Sequence, residues 1–306
     1  MSEVNFSYGA HDRANWGRWG ADDERGAANH VADPATVARA LSSAVDGRVH
    51  SLGIPIQRSG VPTAGYRSPS QRLTSLSQTD RRFRDAFGVE AEVAWNEDLL
   101  VMATHGQTHV DALCHVTDEG VMYNGFSGDE VSSFDGAPRC GIEKLGPIVS
   151  RGVLLDVARA KGVPMLDPGY AITSDDLIEC LTIAEVDIVP GDAVLIRTGW
   201  LETYFEKGLI VEDPQPGLGL DGARYLADRD VVLVGADNTS METYPFDQGR
   251  TLGVHRLLLV HHGIPIAEHL WLKDLAATGR ATFLFVASPL SITGATASPA
   301  NPLAIT

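Results

Sequence analysis

Short apolar runs that recur along the chain set the narrowest limit on what it can fold into. DLLVMAT, GVLLDVA, DAVLIRTG, VVLVGAD and TFLFVAS are rich in β-formers, and Gly, Asp, Ser or Thr stands at or near the end of each. Runs of this length suit strands buried on both faces and are short for helices. Helical patterns lie between some of them. TSDDLIECLTIAEV starts at a Thr173 or Ser174 N-cap, and DPATVARALSSAV starts at Asp33-Pro34. RVHSLGIPI reads as a further strand. The expected class is therefore α/β, with a sheet core and flanking helices. Residues 1–45 read as an N-terminal extension and residues 46–306 as one domain. Trp16 and Trp19 lie in a Gly-rich opening stretch that is either an arm packed on the body or a lid with an aromatic wall. Residues 57–92 lack periodicity and read as a long loop able to cover a site.

Charge narrows the partners. The 306 residues carry 24 Lys and Arg against 40 Asp and Glu, a net charge of −16. Such a chain is repelled by nucleic acid and by anionic membrane surfaces, so a small-molecule partner is expected. The three cysteines, Cys114, Cys140 and Cys180, form no CxxC pair, which suits reduced thiols and a cytoplasmic setting. No signal-peptide core and no membrane-length apolar window is visible.

HGQTHVDALCH, residues 105–115, holds three of the chain's ten histidines and one aspartate. Ligands of a zinc-type ion sit about 2.0–2.2 Å from it, so their donor atoms must lie within about 4 Å of each other. A straight strand would place His105 and His109 about 13 Å apart. On a helix, Asp111 would point about 200° away from His109. A folded loop after DLLVMAT is therefore needed, with Gly106 supplying the bend. Imidazole and carboxylate suit zinc, manganese or iron, and the lack of thiolate ligands favours a catalytic site over a structural one. His115 is either a fourth ligand or a base beside the metal.

This stretch resembles the H-x-G-T-H-x-D-x3-H signature of the cyclase-family metal hydrolases, which include bacterial kynurenine formamidase and isatin hydrolase. Gln107 replaces the signature's glycine, while Gly106 stands one place earlier. GVLLDVA, GDAVLIRTGW, VGADNTSME and VHRLLLVHHGIPIAEHLWL are similar to the family in the same order. The resemblance implies a swivelling β/β/α domain and a Zn2+ or Mn2+ cofactor of one or two ions. It implies that His105, His109 and Asp111 bind the first ion, that Asp111, His255 and Glu268 bind any second one, and that His115 is catalytic. It also implies a homodimer or homotetramer.

The implied activity is hydrolysis of a small cyclic or N-acyl amide by activated water, with His115 as base. The alternatives are a lactone or ester hydrolase and a metal-dependent cyclase or dehydratase. Trp16, Trp19, Phe83 and Trp200 are candidates for the substrate wall. Arg81, Arg82 and Arg84 could meet an anionic substrate, but the simpler reading turns them to water. GLGLDG at 217–222 matches a dinucleotide fingerprint without its strand–helix context. Cys114 reads as a small buried residue. Asp237 either orients a histidine or caps a turn.

Overall fold

The computed structural model describes residues 15–90 and 92–306, the side chains at 81–83 excepted. Its strands are β1 (Val49–Ser51), β2 (Gln71–Leu76), β3 (Glu97–Val101), β4 (His109–Asp111), β5 (Ile148–Asp156), β6 (Ala171–Ile172) and β7 (Ala193–Arg197). They continue with β8 (Gly217–Leu218), β9 (Leu233–Ala236), β10 (Ile266–Glu268), β11 (Thr282–Ala287), β12 (Ala297–Pro299) and β13 (Leu303–Ile305).

Nine of these form one mixed sheet in the order β1-β13-β11-β5-β7-β9-β10-β4-β12. Its centre, β5-β7-β9-β10, is parallel, and the strands outside it pair antiparallel. The central strands read as unbroken apolar runs because both faces are covered. Val194, Leu195, Ile196, Leu233 and Val234 are all inaccessible to solvent. The polar pattern begins where these strands end. Arg197 closes β7 by pairing with Asp156 at the end of β5, 2.8 Å away, and with Glu202 at 2.7 Å.

The flanking helices start where the sequence indicates. Asp33 accepts from the Ala35 N–H to cap Pro34–Leu41, and Thr173 and Asp176 form a reciprocal capping box for Ser174–Ala184. The opening stretch lies along the body. Gly26 takes a positive φ of 56°, and a Cβ there would lie 2.1 Å from the Gly263 carbonyl oxygen, so only glycine allows this crossing.

Two expectations need correction. DLLVMAT is not a buried core strand. Among the described residues β3 pairs only with β2, in a separate two-stranded ribbon, and Leu99, Leu100 and Val101 are about half exposed. A short apolar run reports burial without saying what covers it, and among the described residues nothing covers β3. Residues 57–92 are not a structureless loop, since they contain β2 and the helix Arg81–Ala86.

Candidate metal centre

The turn closing the 105–115 stretch is held by its backbone. Gly106 N–H donates to the Ala103 carbonyl at 3.0 Å, and a Cβ on Gly106 would lie 2.9 Å from that oxygen. The side chain of Gln107 is buried and accepts from Ser70 Oγ at 2.8 Å. His105 thus comes from the turn, while His109 and Asp111 come from β4. Two residues apart on a strand, they share one face. The bend needed to unite the three lies between His105 and β4.

Neighbouring strands complete the cluster. Glu268 on β10 stands directly opposite His109 on β4. His255 arrives from the short helical turn Gly253–His255, which runs into a π-type turn at Arg256–His261. The donor atoms converge. His105 Nδ1 lies 2.8 Å from Asp111 Oδ1, and His109 Nε2 lies 3.4 Å from that oxygen and 3.3 Å from Glu268 Oε2. His255 Nε2 lies 3.8 Å from Asp111 Oδ2 and 3.4 Å from Glu268 Oε1.

Two groups of three donors fall within 4.8 Å of one another, His105–His109–Asp111 and Asp111–His115–His255, with Asp111 common to both. With Glu268 beside His109 and His255, the structure brings together all six residues that the family resemblance implies. The second group includes His115, so it is placed to act as a ligand as well as a base.

The remaining hydrogen bonds fit a cation at the centre of these donors. Each of the three histidines nearest Asp111 and Glu268 is anchored through its far nitrogen. His109 Nδ1 donates to the Gln107 carbonyl at 2.7 Å, His255 Nδ1 to Glu242 Oε1 at 2.6 Å, and His105 Nε2 meets Thr296 Oγ1 at 3.0 Å. The carbonyl and carboxylate partners assign the tautomers of His109 and His255 and leave their near nitrogens as lone-pair donors, while the Thr296 hydroxyl, able to donate or accept, holds the His105 ring in place. His105 Nδ1, His109 Nε2 and both Asp111 oxygens are buried without a geometrically sound hydrogen bond, a costly arrangement unless an ion satisfies them. A buried His/Asp cluster able to hold a metal is thus present.

Electrostatics follow from burial and mutual contact. Burial opposes charge on His109, yet Asp111 and Glu268 beside it push its pKa up to about 10. Burial acts against His255 in the same way, and Glu242 and Glu268 raise it well above the usual value. Burial raises Glu268, but His109 and His255 outweigh it and hold the carboxyl at about 2. His115 behaves differently. Burial drives it down to about 4 against the pull of Asp111, so its imidazole is neutral near pH 7.

The other candidates lie elsewhere. Trp16 donates through its indole N–H to the Val260 carbonyl at 2.8 Å, and Trp19 packs edge-on to His30. Trp200 is buried and stacks on His269 with 6.4 Å between ring centroids; His269 in turn lies 6.1 Å from His109. The side chain of Phe83 lies outside the described residues. Asp237 resolves as a cap, accepting from the Thr198 N–H and hydroxyl and from the Gly199 N–H. GLGLDG has no room for a pyrophosphate, since a Cβ at Gly217 would already lie 2.4 Å from the Glu242 backbone. The Cys114 thiol is buried, and burial pushes its pKa up to about 12, which suits packing rather than attack. His261 pairs with Asp118 at 2.6 Å, away from the cluster's carboxylates.

Sequence reasoning missed Glu242 and Thr296. Glu242 closes the family-like segment VGADNTSME but had no role attached to it, because irregular chain separates it from the histidine it orients, and Thr296 stands in no spaced motif.

The putative-cyclase family model matches residues 41–243. Among solved structures, a crystal structure described as a novel cyclase is 34% identical, with a TM-score of 0.86 over 95% of this chain and 97% of that one. A potential metal-dependent hydrolase with cyclase activity is 25% identical, with a TM-score of 0.51 over 84% of this chain and 98% of that one. Isatin hydrolase A from Ralstonia solanacearum is 19% identical, with a TM-score of 0.63 over 84% of this chain and 91% of that one. No curated protein matches the chain.

Proposed function

The chain belongs to the putative-cyclase family, and on that premise we propose that it is a metal-dependent hydrolase that cleaves or opens a small amide, cyclic or N-acyl. The observation that carries this reading is the convergence of His105, His109, Asp111, His255 and Glu268 around buried, unsatisfied donor atoms. We assign these five as ligands of one or two Zn2+ or Mn2+ ions, both of which accept imidazole and carboxylate. A divalent ion held there supplies Lewis acidity, easing deprotonation of water and polarising a carbonyl.

The chain's own residues do the rest. His115 is neutral at pH 7 and its ring lies 4.1 Å from that of His105, so it can take the proton of the attacking water. Water adds to the carbonyl carbon, the C–N bond breaks, and His115 returns the proton to the departing nitrogen. Glu242 holds His255, and the Gln107 carbonyl holds His109, in the tautomers this work requires.

Two further points belong to the same proposal. The partners are a small molecule and further copies of the chain as a homodimer or homotetramer, without nucleic acid or membrane. The setting is cytoplasmic, and among the described residues no helix is long and apolar enough to cross a membrane.

The test is to load the purified protein with zinc or manganese and screen it against isatin, formylkynurenine, lactams and lactones by product mass. Ring opening adds one water to the substrate, whereas cyclisation with dehydration removes one. Turnover of lactones alone would replace the amide assignment, and loss of water would replace hydrolysis altogether.

A further inference from the structure

Some partly buried arginines in this acidic chain have a carboxylate, and others, such as Arg25 and Arg229, donate to backbone carbonyls. Arg151 meets Asp192 at 2.5 Å, Arg197 meets Asp156 and Glu202, and Arg256 meets Asp118. Arg67 is of the second kind. It is partly buried, its Nη1 donates to the backbone carbonyl of His105, and its guanidinium carbon lies 5.2 Å from the centre of the Tyr66 ring. Among the described residues no carboxylate pairs with it, although the chain has 40 acidic residues. A shielded cation without a counter-ion is costly to maintain, and a ligand that supplies the missing charge removes the cost.

Its position gives that charge a use. The cluster is closed on most sides, with the side chains of His109, Asp111, His255 and Glu268 at most 4% exposed, while that of His105 is 12% exposed. His115, whose ring lies 4.1 Å from that of His105, is also only partly buried, so access lies on the side of these two rings, and Arg67 is fastened to the His105 backbone carbonyl. The segment that carries it is also fixed. Arg67 N–H donates to the Ala64 carbonyl at 2.8 Å, and Ser70 Oγ donates to Gln107 inside the motif. Arg84, by contrast, donates to the Val93 carbonyl in the peripheral segment between β2 and β3.

We propose that Arg67 is the carboxylate-recognition residue of this site, and that the substrate is a small amide bearing a carboxylate. This deepens the hydrolase reading of the same cluster and rests on it. The guanidinium offers a planar fork of N–H donors that matches a carboxylate's two oxygens. The proposed ion offsets the charge of Asp111 and Glu268 at the centre, and Arg67 adds a fixed positive charge beside His105 that steers an anionic substrate in a protein of net charge −16.

The test uses binding as well as turnover. Anthranilate and its neutral isostere 2-aminobenzamide are titrated calorimetrically into manganese-loaded wild type, Arg67→Gln and Arg67→Lys, with metal content measured in each. Wild type should bind anthranilate at least tenfold more tightly than the amide. Arg67→Gln should lose that preference while keeping its metal and its affinity for 2-aminobenzamide, and Arg67→Lys should keep part of it. The proposal is overturned if wild type shows no preference, if the preference survives in Arg67→Gln, or if that variant loses metal or both ligands together. Turnover of N-formylanthranilate and formanilide is followed in parallel. Failure to hydrolyse either, with the anthranilate preference intact, counts against the hydrolase reading and leaves Arg67 recognition standing.

Discussion

The imidazole of His115 is the group whose role most depends on its exact neighbours. Its ring lies 4.1 Å from that of His105 and 6.0 Å from that of His255, and burial keeps it neutral. His115→Ala should lower kcat by at least about 100-fold, the usual scale of general acid–base catalysis, while metal content holds. Loss of metal along with activity, measured by elemental analysis, would make His115 a ligand. Glu242 acts one step further out. Glu242→Gln keeps the size of the side chain but weakens its hold on His255 Nδ1, and should cost about 10–100-fold in metal affinity or activity. An unchanged metal titration would confine Glu242 to capping the Val254 and His255 N–H groups. At this scale the sequence was legible wherever donors crowd together, as in residues 105–115. Glu242, Thr296 and Arg67 were not legible, because each reaches the site from a distant segment and by residue type looks like any other polar side chain.

Among the elements, the parallel strands β5, β7 and β9 were readable because burial on both faces writes itself as an unbroken apolar run, whereas β10, three residues ending in Glu268, was not. β3 carries the same signature and sits in the open, so apolarity alone cannot separate a core strand from a ribbon awaiting a cover. A two-stranded ribbon by itself is marginally stable in water. On the homo-oligomer proposed above, a second copy of the chain is the cover: residues 47–79 hold four arginines and no acidic residue, while β3 opens with Glu97 and with Asp98, which pairs with Arg72. Leu99 and Leu100, at 52% and 48% exposed, are the positions to change. The double substitution Leu99→Ser, Leu100→Ser should reduce the mass seen by light scattering to that of one chain. Melting of the subunit itself should barely move, since exposed changes of this kind cost within about 0.5 kcal/mol. An unaltered mass would remove the ribbon from the interface.

For the whole molecule, the cluster couples stability to both metal and pH. In metal-free protein, the raised pKa of His109 means that the folded state binds more protons than the unfolded one. This stabilisation is fully present below 6.5 and is lost as pH rises through about 10. Glu268 works in the opposite sense: its contribution is present above 4.5 and is lost as pH falls through about 2. A bound ion needs the same nitrogens unprotonated, so its affinity rises with pH. The gap in Tm between metal-loaded and chelator-treated protein should therefore widen from pH 6.5 to 9. A constant gap in calorimetry would show that the ion is not bound through these imidazoles. One feature of the sheet also governs how such a protein can vary. His109 and Glu268 face each other across two adjacent backbones whose side chains alternate between sides. Segments far from that crossing are free to lengthen, whereas a single residue inserted between Ile266 and Glu268 would turn the carboxylate to the wrong side and erase the chemistry while leaving the architecture standing.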